Sequence, residues 1–193
     1  MIEVEETLQQ TGKRELPDGW RLVRLDDVCV KNPGTRDPRL MPDVTFHYVD
    51  ITSVDNRAKR ITGPKLLLGQ DAPSRARQVI RARDVIVSTT RPNLNAVALV
   101  PPHLDNEICS TGFCVLRPRP DLASGFLFAF VQSKEFVDSL SDLVKGALYP
   151  AVTDSQVRAQ VIPLPPLIEQ QRIAAILTEQ MAAVERARTA AEA

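Results

Sequence analysis

The strongest constraint in this sequence is a change of character at Pro166. All fifteen prolines and all eight glycines lie before Leu167, and the 27 residues from Leu167 to Ala193 contain neither. That run reads LIEQQRIAAILTEQMAAVERARTAAEA, rich in alanine and long polar side chains. Pro165 and Pro166 stand just ahead of it, where proline is tolerated at a helix start. The run predicts one long helix, about 40 Å if helical throughout at ~1.5 Å per residue. Ile173, Leu177, Gln180, Val184, Ala187 and Ala191 recur in it at alternating steps of four and three, a coiled-coil seam with one polar member. So narrow a stripe of small residues points to a partner; folding back on its own domain is the alternative.

The segment before the break is strand-like. Residues 1–14 are polar and acidic and are expected to form a flexible tail. LPDGW is turn chemistry, and the alternating RLVRL that follows it predicts a strand. Further strands are expected in VTFHYVDI, on either side of the Arg-Ala-Arg-Asp turn in QVIRARDVIVSTT, in Ala96–Val100 and in Ile108–Leu116. From Ser124 to Val144 the apolar spacing shifts to threes and fours, which predicts helix, broken near Ser133 and stopped by Gly146. Thr153-Asp154 offers a cap for one short helical turn. The expected fold class is α+β: a flexible tail over 1–14, a β-rich domain with packed helices over 15–165, and a coiled-coil helix over 166–193.

Several function classes are excluded. At 193 residues and 44% hydrophobic, the chain is long enough to bury one core without metals or disulfides. No stretch approaches the ~18–20 apolar residues of a membrane span. The acidic opening, Met-Ile-Glu-Val-Glu-Glu, is unlike a secretory signal, so Cys29, Cys109 and Cys114 are expected to be reduced thiols in a cytoplasmic protein. No two glycines make G-x-G, which removes dinucleotide fingerprints, phosphate loops and the glycine loop of a methyl-donor site. His47 and His103 are far apart, and Cys109 and Cys114 have no second pair, so no metal site is expected. G-x-S-x-G is absent, and no acidic residue is followed two positions later by lysine, as a common magnesium nuclease element requires. The chain is expected to catalyse nothing.

Charge is unevenly spread in a chain of net charge zero. Residues 31–93 hold twelve cations against six carboxylates, and nine of the twelve are arginine. Arginine suits bidentate contact with phosphate and with guanine in the major groove. A nucleic-acid surface is the sharper reading, and a solvated face with counter-charges elsewhere is the other. Aromatics interleaved with the cations, which single-strand binding needs, number only two here, Phe46 and Tyr48.

Taken in order, several phrases resemble the specificity (S) subunit of type I restriction–modification systems. LPDGWRLVRLDDV is similar to the start of its target recognition domain, and FHYVDITSVDN to one of its strands. APSRARQVIRARDVIVSTTRPNLNAVALV resembles its arginine-containing turn, strand, loop and strand; CSTGFCVLRP resembles a further strand. The end, KGALYPAVTDSQVRAQVIPLPPLIEQQRIAAIL, is especially similar. The resemblance implies sequence-specific recognition of double-stranded DNA, with adenine methylation or cleavage performed by methyltransferase (M) and motor-nuclease (R) subunits in phage defence. S-adenosylmethionine would be bound by the M subunit, and no cofactor by this chain. It places Arg75, Arg77, Thr89, Thr90, Arg91 and Asn93 where side chains reach base edges, with internal salt bridges the alternative for Arg75 and Arg91. Arg36 belongs to the same basic segment, and Arg57, Lys59 and Arg60 are better suited to phosphates. Lys145 and Tyr149 flank the family's G-x-x-x-P element, where Tyr149 meets a phosphate or simply packs. Glu169 and Gln170 begin the long helix and either cap it or meet the M subunit. One recognition domain and one helix, where the family has two of each, imply a half-length form that pairs with itself or another half. A truncated chain or a broken gene is the alternative to the half-length form, and a non-catalytic adaptor that assembles protein partners through its C-terminal helix is the competing function.

Overall fold

The computed structural model describes residues 16–191, so the tail expected over 1–14 and the last two residues lie outside the described residues. The alternating RLVR forms β1 (Arg21–Arg24), which pairs antiparallel with β11 (Val161–Leu164), the last strand before the long helix. This pairing joins the two ends of the β-rich domain. Leu25 does not continue the strand: Leu25–Val28 is a single helical turn, α1, with Leu25 and Val28 buried.

The middle of the molecule is a three-stranded sheet in the order β10 (Phe113–Leu116), β7 (Val85–Ser88), β8 (Val97–Leu99), all antiparallel. VIVS and FCVL are buried at every position, because both faces of this sheet are covered. Side chains alternate between the faces with a period of two. Val85, Val87, Val97, Cys114 and Leu116 pack among helical residues such as Phe126, Leu127, Phe136 and Leu140. Ile86, Ala98, Phe113 and Val115 pack on Val49, Ile80 and Cys109 of a second sheet. That sheet runs β5 (Lys65–Leu68), β2 (Thr45–Val49), β9 (Glu107–Ser110), β6 (Ala76–Ile80), with β2 and β9 parallel. A two-stranded hairpin, β3 (Val54–Asp55) and β4 (Arg60–Ile61), follows β2.

One expectation changes here, and one strand is added that the sequence pattern does not assign. Ile108–Leu116 is two strands in two different sheets, not one. Thr111 donates its N–H to the Arg75 carbonyl at 2.9 Å and Gly112 to Ser110 Oγ at 3.1 Å, which turns the chain between layers. Lys65–Leu68 is a strand that its unalternating KLLL conceals.

Two of the helices begin at side-chain caps. Ser133 separates α2 (Ser124–Phe130) from α3 (Lys134–Asp142), its Oγ accepting from the Phe136 N–H at 3.2 Å. Thr153 and Gln156 form a reciprocal capping box at the start of α4 (Asp154–Arg158). Two arginines brace the layers from inside. Arg117 makes a forked pair with Asp84, at 2.9 and 2.8 Å, and donates to the Pro33 carbonyl at 2.7 Å. Arg158 donates to the carbonyls of Val30 and Val115, at 3.1 and 2.7 Å. The fold class is α+β, and the chain ends in the long helix α5 (Leu167–Ala191).

Candidate nucleic-acid interface

Strand directions bring five loops to one end of the molecule. The C-terminal ends of β2, β7 and β9 and the N-terminal ends of β6, β8 and β10 meet there. Backbone hydrogen bonds lock the loops in sequence. The Thr89 N–H donates to the Gly112 carbonyl at 2.9 Å, and Thr111 reaches Arg75 from the same turn. Thr90 bridges Ala151, the Arg91 N–H donates to the Pro150 carbonyl, and the Val152 N–H donates to the Thr89 carbonyl, both at 2.8 Å. The hairpin β3–β4 joins the same end through Lys59, whose Nζ donates to the Asn95 carbonyl at 2.6 Å. In the loop between β7 and β8, Arg91 and Asn95 are left-handed, at φ 49° and 45°, flanking a short 3₁₀ turn, Pro92–Leu94.

The side chains at this end divide by whether the fold uses them. Arg57, Arg60, Arg75, Arg91, Asn93 and Lys145 are exposed, Lys145 lying 4.0 Å from Asp142. Thr90 is half-buried, with Ser88 Oγ donating to its carbonyl at 3.0 Å. Tyr149 does not pack: it is 85% exposed, beside Leu148 at 86%. Three expected contact residues are taken by the fold instead. Thr89 is 7% exposed and its Oγ1 donates to the Gly112 carbonyl at 3.0 Å, so its hydroxyl cannot reach a base. Lys59 is half-buried by its bond to Asn95, and that burial lowers its pKa. Arg77 is paired with Asp37 at 3.2 Å and donates to the Ala76 carbonyl at 2.7 Å. Arg36 is bonded through its N–H to the Arg77 carbonyl at 2.8 Å, but its side chain is taken at the start of β9, Nη2 donating to the Asn106 carbonyl at 2.8 Å. Leu148 has no place among the residues expected at the site. The signal for it was two bulky apolar residues caught between Gly146 and Pro150, where neither helix nor strand can bury them.

The long helix is also of two kinds. At its root Gln170 is 1% exposed. Its Oε1 accepts from the Ala123 N–H at 2.8 Å, and its Nε2 donates to the Asp121 and Pro165 carbonyls, both at 2.9 Å. Gln170 is therefore unavailable to a partner, a correction to its expected role. Glu169 accepts from Trp20 Nε1 at 3.1 Å. Ile173, expected in the free seam, packs with Ala174 against the domain core instead. The helices approach so closely here that a Cβ on Gly125 would stand 3.1 Å from that of Ala174. Beyond Ala174 the helix leaves the domain, and every side chain described as far as Ala190 is exposed. Leu177, Gln180, Val184 and Ala187 lie on this free part, with Ile176 and Met181 widening the apolar stripe. The Ala191 side chain is outside the described residues.

The reactive side chains are quiet. Cys29, Cys109 and Cys114 are buried free thiols. Burial pushes the Cys29 thiol up to about 12 and moves the other two upward as well. His47 is held by Glu107 on the neighbouring strand, Nδ1 to Oε1 at 2.9 Å. Among the described residues no cluster of His, Cys, Asp and Glu is placed to hold a metal, and no helix is long and apolar enough to cross a membrane.

Comparison with known proteins places these features in a family. Residues 17–191 match the profile described as type I restriction modification DNA specificity domain. The chain is 30% identical over 177 residues to the EcoKI specificity subunit of Escherichia coli K12, covering 89% of this chain and 38% of that one. It is 25% identical over 162 residues to the HindI specificity subunit of Haemophilus influenzae, covering 82% and 34%. Among solved structures it is similar to the HsdS subunit from Thermoanaerobacter tengcongensis, with TM-score 0.85, 48% identity, and 93% and 46% of the two chains covered. A chain from a structure concerning assembly and conformational transition of a type I R-M system gives TM-score 0.84 at 49% identity, covering 93% and 47%. The chain thus spans little more than a third of these curated relatives and just under half of the solved chains.

Proposed function

Because the chain belongs to the family of type I restriction–modification DNA specificity domains, we propose that it selects the double-stranded DNA sequence on which a type I complex acts. The observation that carries this reading is the recognition end itself. Segments far apart in sequence are locked there by backbone hydrogen bonds, while Arg57, Arg60, Arg75, Arg91, Asn93 and Lys145 keep their side chains exposed. Phosphate contacts from such cations fix position, and arginine and asparagine suit the edges of guanine and adenine.

On this reading the chemistry belongs to partners. Methyltransferase subunits bind S-adenosylmethionine and methylate adenine, and a motor-nuclease subunit joins for cleavage, in the cytoplasm. This chain is non-catalytic; its buried thiols and its tied histidine, His47, support that assignment. The free part of α5 supplies the pairing surface, through Leu177, Gln180, Val184 and Ala187, for a second copy of the chain. A two-fold pair of readers selects a two-fold target.

The test is made in cells. The chain is co-expressed with a type I methyltransferase subunit from its own system in a methylation-free host, and adenine methylation is mapped genome-wide. The expected result is a bipartite motif that appears only when this chain is present, with palindromic halves if two identical copies read it. Partner binding without any motif would overturn the DNA-reading function.

A further inference from the structure

Leu148 and Tyr149 are more exposed than any other large apolar side chain among the described residues, at 86% and 85%. Their mounting is firm on one side and open on the other. Tyr149 precedes a proline, which disfavours helical backbone and favours an extended one. The next three residues are fused to the recognition loop, through the Pro150 carbonyl to the Arg91 N–H, the Thr90–Ala151 bridge and the Val152 N–H to the Thr89 carbonyl. On the other side Gly146 turns the chain at φ +82° with no atom near its Cβ position. The pair therefore stands at the tip of a loop whose near leg is part of the recognition end. Leu94, in the adjoining 3₁₀ turn, is exposed as well, and the cations beside the tip are Arg91 and Lys145.

Two bare apolar side chains between cations suit a surface that is anionic at its rim and apolar within. A DNA duplex is such a surface, with phosphates outside and stacked bases inside. We propose that Leu148 and Tyr149 form a wedge that enters the target duplex at one base step, with Arg91 and Lys145 on the flanking phosphates. The inference rests on the DNA-reading function above and adds the mode of reading. Wedges of this kind unstack a step and bend the duplex, so the sequence is chosen partly by how readily that step opens, pyrimidine–purine steps most readily.

The test uses the intact complex with the methyltransferase subunit and duplexes carrying the motif that the wild-type complex methylates. 2-Aminopurine is placed at each position of the motif in turn. With wild type, fluorescence is expected to rise several-fold at one step besides the target adenine, whose own rise reports flipping by the methyltransferase. In the Leu148→Ser/Tyr149→Ser variant the step signal disappears, and methylation of the motif slows at least tenfold while the complex still assembles. Tyr149→Phe keeps the signal, because a wedge needs the ring and not the hydroxyl. A wild-type complex with no rise outside the target adenine, or a double variant that keeps the rise, would overturn the wedge. So would a Tyr149→Phe variant as weak as the double variant, or a double variant that no longer assembles, which would give the pair to the protein partner. A wild-type complex that marks no motif overturns the function itself, a result seen before any variant is made.

Discussion

At the root of α5, Gln170 gives its carbonyl oxygen and both amide hydrogens to Ala123, Asp121 and Pro165, whereas at the recognition end Arg91 gives the fold its backbone N–H and carbonyl and keeps its side chain exposed. Both places join segments distant in the sequence, 47 residues apart for Gln170 and Ala123 and about 60 for Arg91 and Pro150. At the root the side chains are consumed as well: Glu169 holds Trp20, and Ile173 enters the core. At the recognition end main-chain bonds hold most of the loops, with Thr89 and Lys59 adding their side chains, while Arg57, Arg60, Arg75, Arg91, Asn93 and Lys145 stay in solvent. The difference separates stability from recognition. A side chain is available to a partner only where the main chain and a few neighbouring side chains can hold the structure without it.

The largest effect is expected at the root. Gln170→Leu keeps the volume but leaves one N–H and two carbonyls without their partners in a partly buried site, each loss worth about 1–3 kcal/mol. A total of about 3–4 kcal/mol is expected in the urea unfolding midpoint, together with faster amide exchange at Ala123. A variant within 0.5 kcal/mol of wild type would remove the contrast between the two regions. Next comes the free part of the same helix. Leu177→Glu should leave the unfolding midpoint unchanged, because Leu177 makes no part of the domain core. It should abolish self-association in sedimentation equilibrium, since each buried leucine contributes about 2–3 kcal/mol to a helix pair. Unaltered association would move the pairing surface off the Leu177–Val184 stripe.

Much of this architecture is legible locally. Alternation marks β1 and β2, Ser133 and Thr153 mark helix starts, and the proline boundary marks α5, because each depends on residues within a turn or strand of one another. What stays hidden depends on long-range partners. Arg36 and Arg91 look alike in sequence, yet Arg36 finds the Asn106 carbonyl seventy residues away. Gln170 looks like a solvent-facing helix residue until the Ala123 N–H is placed beside it. Thr89 and Thr90 are neighbours, and only the position of Gly112 decides that the first is buried and the second half-buried. Period-two reasoning fails over Ile108–Leu116 because a turn at Thr111–Gly112 moves the chain from one sheet to the other while both strands remain apolar.

The third effect belongs to the recognition end. Arg91→Gly should weaken binding of the target duplex by about 1–2 kcal/mol, within the range for a single base or phosphate contact. Its folding stability should stay within about 1 kcal/mol of wild type. The left-handed backbone at φ 49° disfavours any L-residue by about 1–2 kcal/mol. Glycine relieves that strain while adding about 0.5–1 kcal/mol of backbone entropy to lose. Titration calorimetry of the complex and urea unfolding of the chain measure the two quantities on the same protein. A large loss of stability with intact binding would reverse the assignment of the two regions.

The smallest effect concerns Asp50, a carboxylate near the recognition end whose side chain the fold uses. Asp50 closes β2 and caps the 3₁₀ turn Ile51–Ser53, accepting from Thr52 Oγ1 at 2.6 Å and from the Ser53 N–H at 3.1 Å, and pairing with Lys65 of β5. Burial pushes its pKa up, but the bonds from Lys65, Thr52 and Ser53 outweigh burial and hold it at about 2. A depressed carboxylate contributes stability above its ordinary value near 3.8, and that contribution fades as pH falls toward 2. Asp154 works with the opposite sign, because burial raises its pKa against the pull of Arg158. The measurable quantity is therefore the difference between wild type and Asp50→Asn, in which Asp154 cancels. Wild type should be the more stable at pH 6, and the gap should narrow between pH 4 and pH 2. A gap that stays constant down to pH 2 would mean that the Asp50 carboxylate charge does not help to hold this turn. The foundation of the recognition end would then be main chain here as well.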